Sequence, residues 1–255
     1  MDNLLDKPDV RTTVRDGIAH ISFYHPKSNS LPGDILARLA AAITEAGQNI
    51  DARVIYLTSG GEGAFCAGAS FDELRGIRTP EQGQKFFMGF ANVILAMRAC
   101  PKFIVTRVHG KIVGGGVGVV AASDYALALN TSSVRLSELA IGIGPFVVGP
   151  AVERRIGSGP FGALSIDAGW RDALWARTHG LYAEVFDDVL LLDRTISSLL
   201  TTLVNSSVAA MADLKRVLWA GTDHWEELLP QRAGISGSLL LTDHAQKVIQ
   251  SIQKS

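Results

Sequence analysis

Glu138 is the residue of this chain whose surroundings best suit proton transfer. It follows Val134–Leu136, which we predict as a short strand, and it precedes the apolar, glycine-rich stretch Leu139–Phe146. Such a setting removes water from a carboxylate, and desolvation raises its pKa toward values useful to a general acid or base. A helix-capping or ion-paired glutamate is the commoner alternative.

Two further segments place small residues near the start of predicted helices. Ala64–Leu74 contains the run Ala-Gly-Ala at 67–69, and Gly110–Gly118 contains three consecutive glycines at 114–116. Backbone N–H groups at such positions can approach a ligand oxygen closely. A tight loop in the first case and close helix packing in the second are the alternatives. The glycine run is neither a phosphate-binding loop nor a dinucleotide fingerprint, because no Gly-Lys-Ser/Thr follows and the glycine spacing fails.

The strands and helices that we predict around these segments indicate an α/β core. Two alternating runs flank Asp16-Gly17 and predict a hairpin over Thr12–Phe23. Short strands in hairpin-plus-helix groups favour a stacked or spiral arrangement over an open sheet. The predicted helices are Asp34–Gln48, Glu81–Ala99 and one that begins at Val117, the predicted strands include Arg53–Thr58, Phe103–Val108 and Tyr125–Leu129, and the chain is mostly helical from Pro145 except near Tyr182–Phe186.

Composition excludes several classes of function. The chain has 255 residues and a formal net charge of −1, so it lacks the positive field of a nucleic-acid-binding protein. No apolar run reaches the roughly 20 residues of a membrane helix, and the polar N-terminus lacks a signal-peptide pattern. Cys66 and Cys100 are too few for a disulfide framework and unsuited to zinc. We therefore expect a cytoplasmic protein that binds no nucleic acid, membrane or metal.

Taken together and in this order, these segments resemble the crotonase superfamily, also called the enoyl-CoA hydratase/isomerase family. The resemblance runs from the hairpin to the C-terminus. The motifs that carry it are Pro26-Lys27 with Asn29-Ser30-Leu31, the Ala-Gly-Ala loop, the triple glycine with Asp124 after it, Ser137-Glu138, and Asn205 with Leu214–Leu218.

The resemblance implies a crotonase-like spiral of ββα units over residues 1–194 and a C-terminal helical oligomerisation region over residues 195–255. It also implies an acyl-CoA substrate, a homotrimer or homohexamer, and no cofactor besides the coenzyme A of the substrate. In the family two backbone N–H groups bind the thioester oxygen; by alignment they belong to Ala69 and Gly115, and Glu138 moves the proton. The residues that would lie along the CoA moiety are Lys27, Ser28, Ala67, Ser70, Phe71 and Asp72.

One position departs from the family's hydratases, which carry two glutamates. The first follows the triple glycine by two positions and is Gly118 here, whereas the second is retained as Glu138. A single carboxylate is sufficient to move a proton between C2 and C4, as in the family's Δ3-Δ2-enoyl-CoA isomerases, and the loop Gly142–Phe146 resembles the isomerase pattern. The run Gly114–Gly118 with Ser-Glu instead resembles a bacterial branch labelled hydratase, including methylglutaconyl-CoA hydratase-like proteins.

Isomerisation and hydration therefore both stay open. Other crotonase reactions on an acyl-CoA, such as thioester hydrolysis or decarboxylation, and a non-catalytic acyl-CoA-binding oligomer also remain as alternatives. Among neighbouring residues, we interpret Cys66 as a small buried packing residue and Asp124 as a tie between a helix end and its neighbour. The apolar cluster Phe86, Phe87, Met88 and Phe90 either walls an acyl pocket or belongs to the core.

Overall fold

A computed structural model describes residues 7–251, and a six-stranded sheet in the order β1-β2-β4-β6-β8-β11 forms its centre. Two small sheets, β10-β9-β7 and β3-β5, lie beside it. The strands are β1 Asp9–Arg15, β2 Ile18–Tyr24, β3 Ser30–Leu31, β4 Val54–Ser59, β5 Gly68–Ala69, β6 Ile104–Val108, β7 Ile112–Val113, β8 Tyr125–Leu129, β9 Ser133–Arg135, β10 Arg171–Asp172 and β11 Glu184–Phe186.

Helices alternate with these strands and then form the C-terminal part of the chain. A short 3-10 helix covers Leu139–Ile141. The α-helices are α1 Gly33–Gln48, α2 Phe71–Gly76, α3 Pro80–Ala99, α4 Gly115–Ala122, α5 Gly149–Ile156, α6 Ser158–Asp167, α7 Ala173–Thr178, α8 Val189–Val204, α9 Val208–Leu218, α10 Trp225–Leu240 and α11 Asp243–Ser251.

The predicted elements and the α/β class are confirmed. Asp16 and Gly17 have φ angles of 51° and 78°, which is the backbone that a two-residue hairpin turn between β1 and β2 needs. The remaining strands of the large sheet pair in parallel, each reached through a helical connection. Two boundaries differ by more than one residue: β1 begins at Asp9 rather than Thr12, and α4 begins at Gly115 rather than Val117, because Gly114 turns the chain at φ 51°.

Alternate strand residues face two apolar layers. Ile55 and Leu57 of β4 belong to the main core, which the helices α1, α3, α4 and α5 help to form. Val54 of the same strand faces the opposite way and packs with Leu192 and Ile196 of α8. The sheet is therefore covered on both faces, which explains why its central strands are apolar throughout.

Helix α10 lies antiparallel along α3. Gly83 and Gly237 approach so closely that a Cβ built on Gly83 would lie 2.6 Å from the Cα of Gly237. At the other end of the pair, Arg98 of α3 donates to the Thr222 hydroxyl at 2.7 Å, just before α10 begins. The expected domain boundary after residue 194 lies inside α8.

Within residues 7–251 no single helix is long and apolar enough to cross a bilayer. Helices α8 and α9 reach that length and composition only together, and they meet at an angle of 110°.

A buried ion pair joins the C-terminal helices to the sheet. The ammonium group of Lys215 on α9 donates to Asp124 Oδ2 and to the Lys102 carbonyl, both at 2.8 Å. Asp124 also accepts from the backbone N–H of Ile104 at 2.8 Å and from the Trp219 indole at 3.1 Å. Asp124 thus ties the end of α4 to a strand and to α9, which agrees with its interpretation as a tie between neighbours.

The variant Lys215→Met tests how much this ion pair contributes to stability. The side chains of Lys215 and Asp124 are 2% and 5% exposed, so the variant leaves a carboxylate buried without its cation. We expect the free energy of unfolding to fall by about 3–5 kcal/mol, measured by urea denaturation. Lys85→Met, at an exposed position of α3, is the control. Equal stability of the two variants would contradict a stabilising role of the ion pair between Lys215 and Asp124.

Candidate active site

A cavity of about 70 Å³ lies where five parts of the chain meet. Its walls come from the β5–α2 segment, the first turn of α4, the loop after Glu138, and the facing sides of α3 and α10. Apolar side chains form most of the lining, including Phe71, Phe87, Phe90, Ile143, Phe146 and Val148. Such a concave, mainly apolar site with a few polar groups is typical of a small-molecule site.

The cavity wall formed by the β5–α2 segment is held in place by strand pairing and by a buried asparagine. Strand β5 pairs in parallel with β3, and the Ser30 hydroxyl donates to the Ala69 carbonyl at 2.9 Å. The Asn29 side-chain amide donates to the carbonyls of Gly60 and Ala64, each at 2.9 Å. Gly68 has φ 92°, and a Cβ there would lie 3.1 Å from a carbonyl oxygen of β7. The backbone of Ala69 therefore reaches the cavity from a fixed position.

The start of α4 leaves no room for side chains. A Cβ on Gly115 would lie 2.4 Å from the Phe90 ring, and one on Gly116 would lie 2.8 Å from Cys66. A Cβ on Gly114 would lie 3.0 Å from Glu138 Oε1. Packing therefore explains the triple glycine. Close approach also leaves the backbone at the cavity wall, and the N–H of a first helical residue such as Gly115 has no acceptor within its own helix.

Glu138 faces this glycine turn from the loop before the 3-10 helix. Its backbone carbonyl accepts from Ile143 at 3.0 Å, which holds the loop. The carboxylate oxygen Oε2 is buried and has no hydrogen-bond partner within residues 7–251. Burial raises the pKa of Glu138 to about 7, although the backbone N–H groups of Glu138 and Ser137 act in the opposite direction. The carboxyl group can therefore both accept and return a proton near neutral pH.

Apolar side chains fill the space where a second glutamate would stand. A Cβ on Gly118 would lie 2.6 Å from Val148 Cγ1 and 3.2 Å from Ile94 Cδ1. Among the described residues that line the cavity, Glu138 is the only carboxylate, and the other polar side chains are Ser137 and Ser236. Sequence reasoning missed Val148 and Ser236. For Ser236 the available signal was the small-residue run around Gly234 and Gly237, which indicates close helix contact.

The residues expected along CoA fall into two groups. Ala67 and Phe71 line the cavity together with Ala69. Ser70 is buried and caps α2 by accepting from the Glu73 N–H at 3.5 Å. The remaining three lie on the surface outside the cavity lining: Lys27 and Asp72 form an exposed ion pair, and Ser28 is exposed in the preceding turn.

Two interpretations of neighbouring residues are settled by burial. Cys66 is fully buried, and burial raises the pKa of its thiol to about 12, so it is a packing residue as expected. Phe87 and Phe90 line the cavity, and Phe86 packs edge-on against Phe87. The phenylalanines of α3 therefore serve both the cavity wall and the core around it.

The packing at Gly118 predicts that even a methyl group is too large there. Gly118→Ala forces Val148 to move, and we expect it to lower the free energy of unfolding by about 1–3 kcal/mol. Gly162→Ala in α6 is the matched control, because a Cβ there meets nothing within 4 Å. The control should gain up to about 1 kcal/mol from helix propensity. If urea denaturation showed both variants to be more stable than the parent chain, the close packing at Gly118 would be contradicted.

The raised pKa of Glu138 predicts how stability changes with pH. The folded pKa of about 7 lies above the ordinary 4.5, so the folded state binds the proton more tightly and the resulting stability is lost as pH rises through 7. Glu138→Gln carries no such group. Between pH 4.5 and 8 we expect the stability of this variant to rise relative to the parent chain by about 3 kcal/mol, measured by urea denaturation. A constant difference across this range would overturn the assignment.

Several curated proteins are similar to this chain at low sequence identity. It is 28% identical over 160 residues to the Bacillaene synthase dehydratase PksH of Bacillus subtilis (strain 168), a match that covers 61% of this chain and 60% of that protein. It is 22% identical over 259 residues to the peroxisomal Delta(3,5)-Delta(2,4)-dienoyl-CoA isomerase of Arabidopsis thaliana, covering 95% and 92%. The chain spans about half the length of several other curated relatives that it matches.

Solved structures show the same fold. The crystal structure of an enoyl-CoA hydratase from Bacillus halodurans superimposes with a TM-score of 0.87 at 20% identity, covering 95% of this chain and 99% of that chain. At such identity the likeness concerns the fold alone. The family model described as Enoyl-CoA hydratase/isomerase matches residues 13–253, nearly the whole chain. The chain therefore belongs to the enoyl-CoA hydratase/isomerase family, the crotonase superfamily.

Proposed function

We propose that this chain isomerises the double bond of an enoyl-CoA, with Glu138 moving the proton and the N–H groups of Ala69 and Gly115 holding the thioester oxygen. The observation that carries the proposal is the buried, unpartnered Oε2 of Glu138 beside the glycine turn of α4. An acid with a pKa of about 7 in an apolar cavity suits reversible proton transfer.

The proposed reaction needs one carboxylate and two backbone donors. The Glu138 carboxylate takes a proton from C2 of a 3-enoyl thioester, and the electron pair spreads over the thioester oxygen and C4. Preorganised N–H groups stabilise that oxygen, and each such donor contributes about 3–4 kcal/mol to the transition state. Glu138 then returns the proton at C4, which gives the conjugated 2-enoyl thioester and regenerates the carboxylate.

The cavity favours isomerisation over hydration. Hydration needs a water molecule held and activated beside the double bond, and a second carboxylate would serve that purpose. Val148 and Ile94 occupy the space next to Gly118, and within residues 7–251 Glu138 is the sole carboxylate of the lining. Hydration is the second candidate, and thioester hydrolysis, decarboxylation or acyl-CoA binding without turnover would need other groups to act in this cavity.

Cavity size supports a short acyl group. The volume of about 70 Å³ lies well below the range of pockets that hold drug-sized ligands. The CoA moiety is then proposed to run outward past Ala67 and Phe71. Its path continues along the buried cap Ser70 and the exposed group of Lys27, Ser28 and Asp72.

A homotrimer or homohexamer is part of the same proposal. Large apolar side chains of α8 and α9 are exposed in the single chain, with Leu190 63% and Val217 70% exposed. Burial of such surface between copies would be favourable. A cytoplasmic location and the absence of any metal or separate cofactor stay predictions.

Two substrates test the proposal directly. Incubation with 3-hexenoyl-CoA should raise the absorbance of the conjugated thioester, whereas crotonyl-CoA should show little hydration. Glu138→Gln should lower the isomerisation rate at least about 100-fold, while Glu45→Gln, at an exposed position of α1, should not change it. Rapid loss of crotonyl-CoA absorbance would instead assign hydration. Full isomerase activity in Glu138→Gln would overturn the role of that residue.

A further inference from the structure

Ser236 is a polar side chain inside the cavity to which the proposed reaction gives no role. It lies on α10, lines the cavity, and is 1% exposed. Its hydroxyl has no hydrogen-bond partner within the described part of the chain. A buried hydroxyl without a partner is unfavourable, and such groups are rare in folded proteins. The hydroxyl of Ser236 is therefore available to a molecule that enters the cavity.

Five other helical hydroxyls within residues 7–251 do not behave in this way. They donate to the backbone carbonyl four residues earlier, which is the usual outcome for serine and threonine within a helix. The donors that do so are Thr44, Ser165, Thr178, Thr201 and Thr202. Ser236 does not make this bond. Its hydroxyl is thus not consumed by its own helix.

The contact between α10 and α3 places Ser236 away from the reacting end of the cavity. Its neighbour Gly237 touches Gly83 of α3, whereas Phe90 of the same helix touches Gly115. Seven residues separate Gly83 from Phe90, which corresponds to about 10 Å along the helix axis. The distal part of an acyl group whose thioester lies at the glycine turn is therefore the natural partner of the hydroxyl.

We propose that Ser236 is a specificity-determining residue that donates a hydrogen bond to an oxygen on the distal carbons of the acyl group. The preferred substrate class is thus a short acyl-CoA that carries a ketone or hydroxyl group beyond C3. This inference rests on the proposed function, because it takes the cavity as the acyl site. The surrounding wall, formed by side chains such as Phe87, Ile143 and Phe146, is apolar, so an oxygen placed there has Ser236 as its donor.

Binding of saturated thioesters tests this without turnover. The probes are 5-oxohexanoyl-CoA against hexanoyl-CoA, and 4-oxopentanoyl-CoA against pentanoyl-CoA, measured by titration calorimetry on the full chain. The parent chain should bind at least one keto ester about tenfold more tightly than its alkyl partner. Ser236→Ala should remove that preference and leave alkyl binding unchanged. Ser238→Ala, at an exposed position of α10, is the matched control and should keep the preference.

Thermal unfolding gives a second readout. Because the hydroxyl makes no bond within the described chain, Ser236→Ala should keep the parent melting temperature or raise it, whereas a structural role would lower it. Tight binding of the alkyl esters with no keto preference in either pair would overturn the assignment of Ser236 and leave the proposed function standing. Failure of all four thioesters to bind would overturn both.

Discussion

The rest of the site depends on the close packing at the first turn of α4. Cys66, Phe90 and Glu138 press against three consecutive glycines, and a Cβ on any of them would come within 3.0 Å of a neighbour. This packing brings the backbone of Gly115 to the cavity wall and holds the Glu138 carboxylate against the turn. At this turn the carboxylate oxygen Oε2 of Glu138 is buried. Close backbone approach and desolvation are therefore two consequences of one constraint.

The raised pKa of Glu138 follows from its apolar surroundings. Its Oε2 finds no donor within residues 7–251, and burial raises its pKa to about 7. A positively charged partner beside it would lower that pKa and stabilise the anion, whereas a second carboxylate would raise the pKa further. At the position of Gly118 the chain has instead placed Val148 and Ile94 in contact with the helix. The surroundings of Gly118 are thus apolar where, by the resemblance, the family's hydratases carry a second carboxylate.

Sequence reasoning predicted the elements well and the cavity only in part. Alternation and turn residues located the hairpin at Asp16-Gly17, and apolar periodicity located α1 and α3, because local chemistry determines these features. The resemblance to the family pointed to Ala69, Gly115 and Glu138, and the structure brings these three to one cavity. Val148 and Ser236 escaped notice, because their positions depend on how α5 and α10 pack against α4 and α3. Apart from the small residues around Gly234 and Gly237, that packing has no local signature in the sequence.

Proton exchange at the α-carbon tests the central claim most directly. Butyryl-CoA has no double bond to move or hydrate, yet its C2 proton can be removed if the thioester oxygen is held and a carboxylate with a pKa near 7 lies beside it. Incubated with the protein in D₂O at neutral pH, it should take up deuterium at C2, detected by mass spectrometry, and Glu138→Gln should abolish the uptake. Uptake that persists in this variant, or its absence from the parent chain despite binding of butyryl-CoA, would contradict the account.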